Sequence, residues 1–492
     1  MTAAPKVESG VVARGVLWRI TEVFGTEILA FATFVLLARL LAPDDFGIIS
    51  QASLFILAAQ LVLQQGFPEA LVQMEEVSDA HFETSFWANL ALGGAASLAL
   101  IIAAPWLASV LTEPDLTPVL VGLAPTLLLL SANRIYLAKL RRELRFRDFM
   151  LINVLATFAG ALAATILATG GYGLWSLVAQ QWFYALTGLV VGCARIGWLP
   201  GLRFDMVHLR AMWAFSGFTV LEAFTAFCAR RADLLILAWF WSAREIGFYF
   251  LANRLLFSAG MLTYYSISHL GLPFLARLQN DPTAYREALH RTMQLLSLAC
   301  MPTLIGLTLV APIMIPLLFG AEWAPSVPPF QALAALSIFY AFALMCGQIL
   351  IAAGHARDAM ILSGLTMLLF LAAVAIAAPY GITHAAVAGG LANLLVLPVY
   401  FDQLRRRFGF DLKRCLKEQL PCWTAMMLMI TAVLSSMPWM KAHLPPIAQL
   451  LAASLIGTAT FFIVMVILAR GELLIIYTSF CSAKGEDRKA TA

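Results

Sequence analysis

The stretch LARLLAPDDFG at residues 37–47 returns as LAWFWSAREIG at residues 237–247, and this repeat decides the fold. Further matches in the same order pair Glu22 with Glu222, Ala52 with Ala252, Arg147-Asp148 with Arg357-Asp358, Met150 with Met360, and Tyr172-Gly173 with Tyr380-Gly381. They indicate two copies of one six-helix unit. An even number of spans preserves orientation, so we expect parallel repeats related by a pseudo-twofold axis along the membrane normal, with a substrate site where they meet.

The composition places the chain in a membrane. Of its 492 residues, 61% are hydrophobic and 12% are charged, whereas about a quarter of the residues in soluble domains are charged. The net charge of +4 does not indicate a nucleic-acid partner, because the basic residues lie in short loops between apolar stretches. The seven cysteines show no metal-ligand spacing and predict no disulfide framework.

Fourteen apolar stretches are long enough to cross about 30 Å of hydrocarbon, which takes about 20 residues. Their approximate cores are 17–41, 47–70, 84–111, 118–140, 149–169, 174–196, 211–241, 246–270, 292–319, 328–352, 359–379, 382–404, 420–440 and 446–469. The chain therefore divides into a disordered N-terminus (1–10), a first six-helix repeat (11–197), a second (198–404), two extra transmembrane helices (405–470) and a tail (471–492).

The charges of alternate loops set the orientation. One side carries many basic residues, among them Arg141, Arg145, Arg195, Arg203, Arg286, Arg357, Arg406 and Lys413, whereas the other side holds Arg244 and Lys441. Because cytoplasmic loops are enriched in Lys and Arg, both termini are predicted to be cytoplasmic.

Several loop and helix-end motifs resemble those of the polysaccharide-transport flippases of the multidrug/oligosaccharidyl-lipid/polysaccharide exporter superfamily. The similar stretches cover roughly residues 10–410 and are LARLLAPDDFG (37–47), ALVQMEEVSDAHFETSFWANLALG (70–93), GYGLWSLV (171–178), PFLARLQND (273–281) and LFGAEWAPSVPPFQAL (318–333).

The resemblance implies a MATE-like fold of about fourteen transmembrane helices. It also implies a flippase that moves a polyprenyl-diphosphate-linked oligosaccharide, an O-antigen or exopolysaccharide repeat unit, across the bacterial inner membrane by alternating access. A polysaccharide polymerase or chain-length machinery is an expected partner, besides the lipid bilayer. A multidrug cation antiporter of the same superfamily is the closer alternative.

Charged residues inside the spans are the candidate site residues, because each costs at least about 2.5–3.5 kcal/mol at the bilayer centre. The cavity candidates for a phosphate group are Arg134, Arg230 and Arg254, since guanidinium forks match phosphate oxygens. The alternative for Arg230 is an ion pair with Asp233, three residues further along the helix. Arg134 follows Ser131 and Asn133 in a polar interruption of the fourth span.

Carboxylates in the spans are candidates for coupling or gating, and they are Glu22, Glu27, Glu222 and Asp233. Glu22 and Glu222 hold equivalent repeat positions, which suits symmetric contacts or proton-linked groups. Alternatively, Arg19 neutralises Glu22 from one turn away. No nucleotide-binding loop is present in the sequence, so we expect no cofactor, and a proton gradient, a sodium gradient or the membrane potential would drive transport.

An enzyme is the less favoured class. Asp44-Asp45 in the first outer loop could be the metal-binding carboxylates of a polyprenyl-dependent membrane glycosyltransferase. However, the equivalent loop reads Ser242-Ala243-Arg244-Glu245, so Asp45 is better explained as a repeated acidic residue at a helix start. The histidines, serines and cysteines form no nucleophilic or metal-binding pattern, and no catalytic residue is predicted.

Overall fold

The computed structural model describes residues 9–74, 77–210, 212, 227, 231–264, 267 and 281–469, and every regular element in them is helical. The α-helices are α1 (Ser9–Leu40), α2 (Pro43–Gln65), α3 (Phe67–Gln73), α4 (Asp79–Val110), α5 (Leu116–Leu123), α6 (Thr126–Arg142), α7 (Phe146–Thr169), α8 (Leu174–Ile196), α9 (Ala243–Leu262), α10 (Pro282–Phe319), α11 (Val327–Ala352), α12 (Ala356–Ala377), α13 (Ile382–Phe408), α14 (Leu412–His443) and α15 (Pro446–Leu468). Residues 231–240 are also helical, and 3-10 helices at Ala321–Ser326 and Ala378–Tyr380 precede α11 and α13.

Within the described ranges, twelve helical segments are long and apolar enough to cross a membrane. They correspond to predicted spans one to six and nine to fourteen. The seventh, 211–241, lies mostly outside the described residues, and α9 occupies much of the eighth. The prediction of an all-α multi-pass membrane protein is confirmed, whereas the count of fourteen and the predicted domain boundaries stay predictions.

Two of the spans are built from two helices each. Gly66 separates α2 from α3, and Ala124-Pro125 separates α5 from α6. Proline has no N–H to bond to the preceding turn, which explains the second interruption. The polar residues Ser131 to Arg134 do not break the fourth span, since they lie inside α6.

The first of two compact units comprises Met1–Phe250. In it α7 packs against α1 and α8, and α6 packs against α4 and α8. Small residues let these helices approach: Gly93 of α4 lies against Ser131 of α6, and Gly160 of α7 lies against the Gln180 carbonyl of α8. In a lipid bilayer the hydrophobic effect contributes little to helix association, because lipid tails are as apolar as the side chains. Close van der Waals packing of this kind holds the helices together instead.

The second unit comprises Leu251–Ala492, and its core lies among α10, α11, α13, α14 and α15. The two C-terminal helices, α14 and α15, pack against α10 and against each other. Buried polar groups also join α10 to α14. His290 Nδ1 lies 2.9 Å from Glu418 Oε2, and the Ser297 hydroxyl donates to Gln419 Oε1 at 3.0 Å.

Helix bounds and one ion pair recur in both units. Helix α6 ends at Arg142 and α11 at Ala352, and the next helices begin at Phe146 and Ala356, an offset of 210 in each case. Near the start of α7, Asp148 lies 3.8 Å from Arg195 at the end of α8. Near the start of α12, Asp358 is ion-paired with Arg407 at the end of α13.

Loop residues on the basic side cap helices and tie them together. Asp281 precedes α10 and accepts hydrogen bonds from the Thr283 side chain and from the Thr283 and Ala284 N–H groups, which hold the pKa of its carboxyl below the usual value. Asp411 precedes α14, and the N–H groups of Arg414 and Lys413 lower its pKa in the same way. These caps fix where both helices begin.

A polar cavity in the first unit

A cavity of about 260 Å³ lies among four helices of the first unit, α1, α6, α7 and α8. Its wall is mostly polar and consists of Glu22, Thr26, Arg134, Phe149, Asn153, Thr157 and Tyr184. Pockets that hold whole drug-sized ligands measure about 300–1,000 Å³. This cavity therefore suits one charged or polar group of a larger ligand.

Helical spacing places these side chains together. Phe149, Asn153 and Thr157 follow one another at intervals of four on α7, so they share one face of that helix. Two hydroxyls are bound to their own helices: Thr157 donates to the Asn153 carbonyl at 2.8 Å, and Thr26 donates to the Glu22 carbonyl at 2.7 Å.

Glu22 is the negative group of the cavity. Its side chain is buried, and its Oε1 accepts a hydrogen bond from Asn153 Nδ2 at 2.8 Å. An amide donor stabilises a carboxylate removed from water, and this bond also joins α1 to α7.

Arg134 is the positive group. It projects from α6 into the cavity and is partly buried. Among the described residues, no Asp or Glu oxygen lies within 4.0 Å of its guanidinium. A buried charge without a partner is costly, and the guanidinium carries five N–H donors in a planar fork. The arrangement therefore fits an anionic oxygen ligand, such as a phosphate group, which would supply the missing partner.

The structure places the predicted site residues in several locations. It brings Glu22 and Arg134 into one cavity, while Glu27 lies further along α1 and is not part of the wall. Asp233 is buried and accepts a hydrogen bond from the Tyr249 hydroxyl at 2.9 Å. Arg254 lies on α9 in the second unit, with its guanidinium carbon 5.8 Å from the Phe257 ring centroid. Glu222 and Arg230 lie outside the described residues.

Five neutral residues of the wall were not predicted from the sequence, because they carry no charge that would mark them within a span: Thr26, Phe149, Asn153, Thr157 and Tyr184. One signal was available, since Asn153 and Thr157 are polar residues four apart in a stretch of α7, residues 149–164, that is otherwise apolar. In the described part of the chain, no group of three or more His, Cys, Asp or Glu could hold a metal ion.

A larger groove of about 530 Å³ lies between the end of α5 and the first half of α8 and is lined mainly by apolar side chains, including Trp175, Trp182 and Phe183. The Trp182 indole N–H already donates to the Gly122 carbonyl at 2.7 Å. Ligand sites need placed polar groups to orient what they bind. The groove supplies few of them, so the smaller cavity is the better site.

Comparisons with known proteins confirm the resemblance to polysaccharide-transport proteins. The succinoglycan biosynthesis transport protein ExoT of Rhizobium meliloti is 27% identical over 332 residues, 67% of each chain. The lipopolysaccharide biosynthesis protein WzxC of Escherichia coli is 23% identical over 330 residues, 66% of each chain. The teichuronic acid biosynthesis protein TuaB of Bacillus subtilis is 23% identical over 347 residues, 70% of this chain and 71% of TuaB.

Solved structures show the same fold. The lipid II flippase MurJ in an inward closed conformation aligns with a TM-score of 0.75 at 14% identity, covering 93% of this chain and all of that one. An inward-facing multidrug transporter of the MATE family aligns with a TM-score of 0.66 at 14% identity, covering 78% of this chain and 94% of that one. Residues 36–328, more than half of the chain, match the polysaccharide biosynthesis protein family. The chain is a member of this family, with the fold of the multidrug and lipid-flippase superfamily.

Proposed function

We propose that this protein is a flippase that moves a lipid-linked oligosaccharide from the inner to the outer leaflet of the bacterial inner membrane. Its membership of the polysaccharide biosynthesis protein family, its membrane-spanning helices and its fold support this function. The relatives ExoT, WzxC and TuaB are named for transport or biosynthesis of polysaccharides. We expect both termini on the cytoplasmic side, as the loop charges predict, and a polysaccharide polymerase as a neighbour in the membrane.

The observation that carries the proposal is the position of Arg134 in a polar cavity, where its guanidinium has no carboxylate partner among the described residues. A polyprenyl-linked glycan joins its lipid to its first sugar through a diphosphate. Phosphate oxygens accept two parallel hydrogen bonds from one guanidinium, a geometry that an ammonium group cannot reproduce. We therefore assign the diphosphate to Arg134, with Asn153 and Tyr184 as nearby polar groups.

The cavity also weighs against the alternatives. A multidrug cation antiporter would bring a positive ligand to a cavity in which Arg134 has no carboxylate partner among the described residues. A glycosyltransferase would need catalytic groups beside the acceptor sugar. Among the described residues, Glu22 is the one carboxylate in the cavity wall, and it is already bound by Asn153.

The energy for transport would come from the membrane potential or from a coupled ion gradient. Two negative charges that move outward across an inside-negative potential gain about 4–5 kcal/mol per 100 mV when they cross uncompensated. Glu22 is our candidate for a coupled proton or sodium ion, because it is a buried carboxylate in the wall of the same cavity.

Substitution of Arg134 tests the proposal. In a strain that lacks the native gene, we expect Arg134→Ala to reduce glycan export at least about 30-fold, the effect of removing a contact worth 2 kcal/mol or more. Arg134→Lys should restore it only in part. Arg147→Ala is the matched control, because Arg147 is an exposed arginine near the start of α7. Export is normalised to protein in the membrane, and normal export by Arg134→Ala would refute the assignment.

A further inference from the structure

The starts of α2 and α9 cross within the first unit, and the contact is reciprocal. A methyl group on Gly47 would overlap the Ala243 carbonyl, and a methyl group on Gly247 would overlap the Pro43 carbonyl. Gly47 and Gly247 are equivalent in the repeat, and so are Pro43 and Ala243, both at an offset of 200. Each glycine therefore packs against the first residue of the other helix, as a pseudo-twofold axis between them requires.

The helix ends that precede the crossing are buried. Leu37, Ala38, Leu237 and Ala238, two pairs of repeat-equivalent residues, are each at most 2% exposed. Beside them the Phe34 ring meets the edges of Phe46 and Phe250, with ring centroids 5.4 and 6.1 Å apart. These residues lie at the ends of the helices opposite the arginine-rich loops. The crossing thus seals the end of the first unit that we place outside.

One hydrogen bond breaks the symmetry of this seal. The Ala243 N–H, at the first position of α9, donates to Glu113 Oε1 at 2.7 Å, and Glu113 lies in the loop between α4 and α5. A carboxylate at a helix N-terminus makes a charge-assisted bond and is favoured by the helix dipole. The bond joins a loop of the first repeat to a helix of the second.

The first repeat has no counterpart for the donor. The residue equivalent to Ala243 is Pro43, and a proline nitrogen carries no hydrogen. Glu322 follows the third span of the second repeat, as Glu113 follows that of the first. Because Pro43 has no N–H to donate, Glu322 cannot accept a bond equivalent to the one that Glu113 accepts from Ala243.

We propose that Glu113 is a gating residue that holds the outer seal closed through the Ala243 N–H. The inference rests on the proposed transport by alternating access, in which this seal must open to release the glycan outward. Glu113 acts on the seal and does not touch substrate, so it is a positioning residue. Removing the bond should raise the fraction of molecules with an open seal.

Cysteine labelling measures that fraction without any substrate. The seven native cysteines are replaced by alanine and Ala38, 2% exposed in the closed seal, by cysteine. A membrane-impermeant thiol reagent is then added from outside to intact cells. We expect Glu113→Ala to raise the labelling rate about tenfold, which corresponds to about 1.4 kcal/mol. Glu322→Ala, the repeat-equivalent control, should leave the rate unchanged.

A second variant removes the donor. Proline is tolerated at the first position of a helix, and Pro43 already holds the equivalent place. Ala243→Pro should therefore raise labelling as much as Glu113→Ala, and the double variant should label no faster than either single one. If neither variant raises the labelling rate, or if Glu322→Ala raises it equally, the proposed gating role of Glu113 is refuted. A raised labelling rate in a protein that exports no glycan would instead refute the proposed function and leave the gating role of Glu113 supported.

Discussion

The two units have equivalent helix bounds, but the corresponding helices carry different side chains at the positions that line the cavity of the first unit. In the first unit, Arg134, Asn153 and Thr157 line a polar cavity. At the offset of 210 that relates α6 to α11 and α7 to α12, their counterparts are Leu344, Ser363 and Met367. Leu344 packs against the apolar core of the second unit.

The two units share a contact that holds helices together, but they differ at the charged cavity wall. The contact between a helix-start aspartate and an arginine of the next helix is present in both units, as Asp148 with Arg195 and Asp358 with Arg407. Such contacts fix helices, so both copies need them. The charged cavity wall is found in the first unit, so we infer that recognition of the anionic group is concentrated there.

Exchange of wall residues between the halves should have the largest effect. The double substitution Asn153→Ser, Thr157→Met gives the first unit the residues of the second, takes the donor from Glu22 and fills part of the cavity with a methionine. We expect export to fall on the order of 100-fold, since small displacements of a binding group have effects of this size. The reverse exchange, Ser363→Asn with Met367→Thr, should leave export within about twofold once protein level is normalised. Equal losses from both exchanges would contradict the asymmetry.

The sequence predicted the class of fold because its signals are local or additive. Runs of apolar residues define the spans, and Asp281 and Asp411 mark helix starts by capping. The repeat signal at Gly47 and Gly247 is explained by their close contacts with Ala243 and Pro43.

The candidate site could be predicted only in part. Arg134 and Glu22 were identifiable because charges inside spans are rare. Their shared cavity was not, because it depends on how α1, α6, α7 and α8 pack, and Asn153 carries no charge to mark it. Likewise, the bond from Ala243 to Glu113 joins residues 130 positions apart and leaves no periodic signal in the sequence.

Breaking the ion pair that both halves share should have the smallest effect. Asp148→Ala removes the partly exposed pairs with Arg145 and Arg195, and Asp358→Ala removes the partly exposed pair with Arg407, so we expect each to lower stability by about 1 kcal/mol or less. Thermal unfolding of the purified variants measures this. The two losses should be similar, and neither variant should change export per folded molecule. A large loss of export from Asp148→Ala alone would show that the basic end of α7 also takes part in binding.

The central claim, that Arg134 binds the diphosphate, is tested most directly by ligand-induced stabilisation of the purified protein. Farnesyl diphosphate serves as a soluble isoprenyl diphosphate probe, and inorganic diphosphate and farnesol separate the contributions of its two parts. A ligand that binds the folded state at 100 times its Kd stabilises it by about 2.7 kcal/mol. We predict that farnesyl diphosphate raises the unfolding temperature of the native protein and of Arg147→Ala, and that farnesol does not. In Arg134→Leu the rise should disappear. An undiminished rise in a folded Arg134→Leu protein would contradict the account.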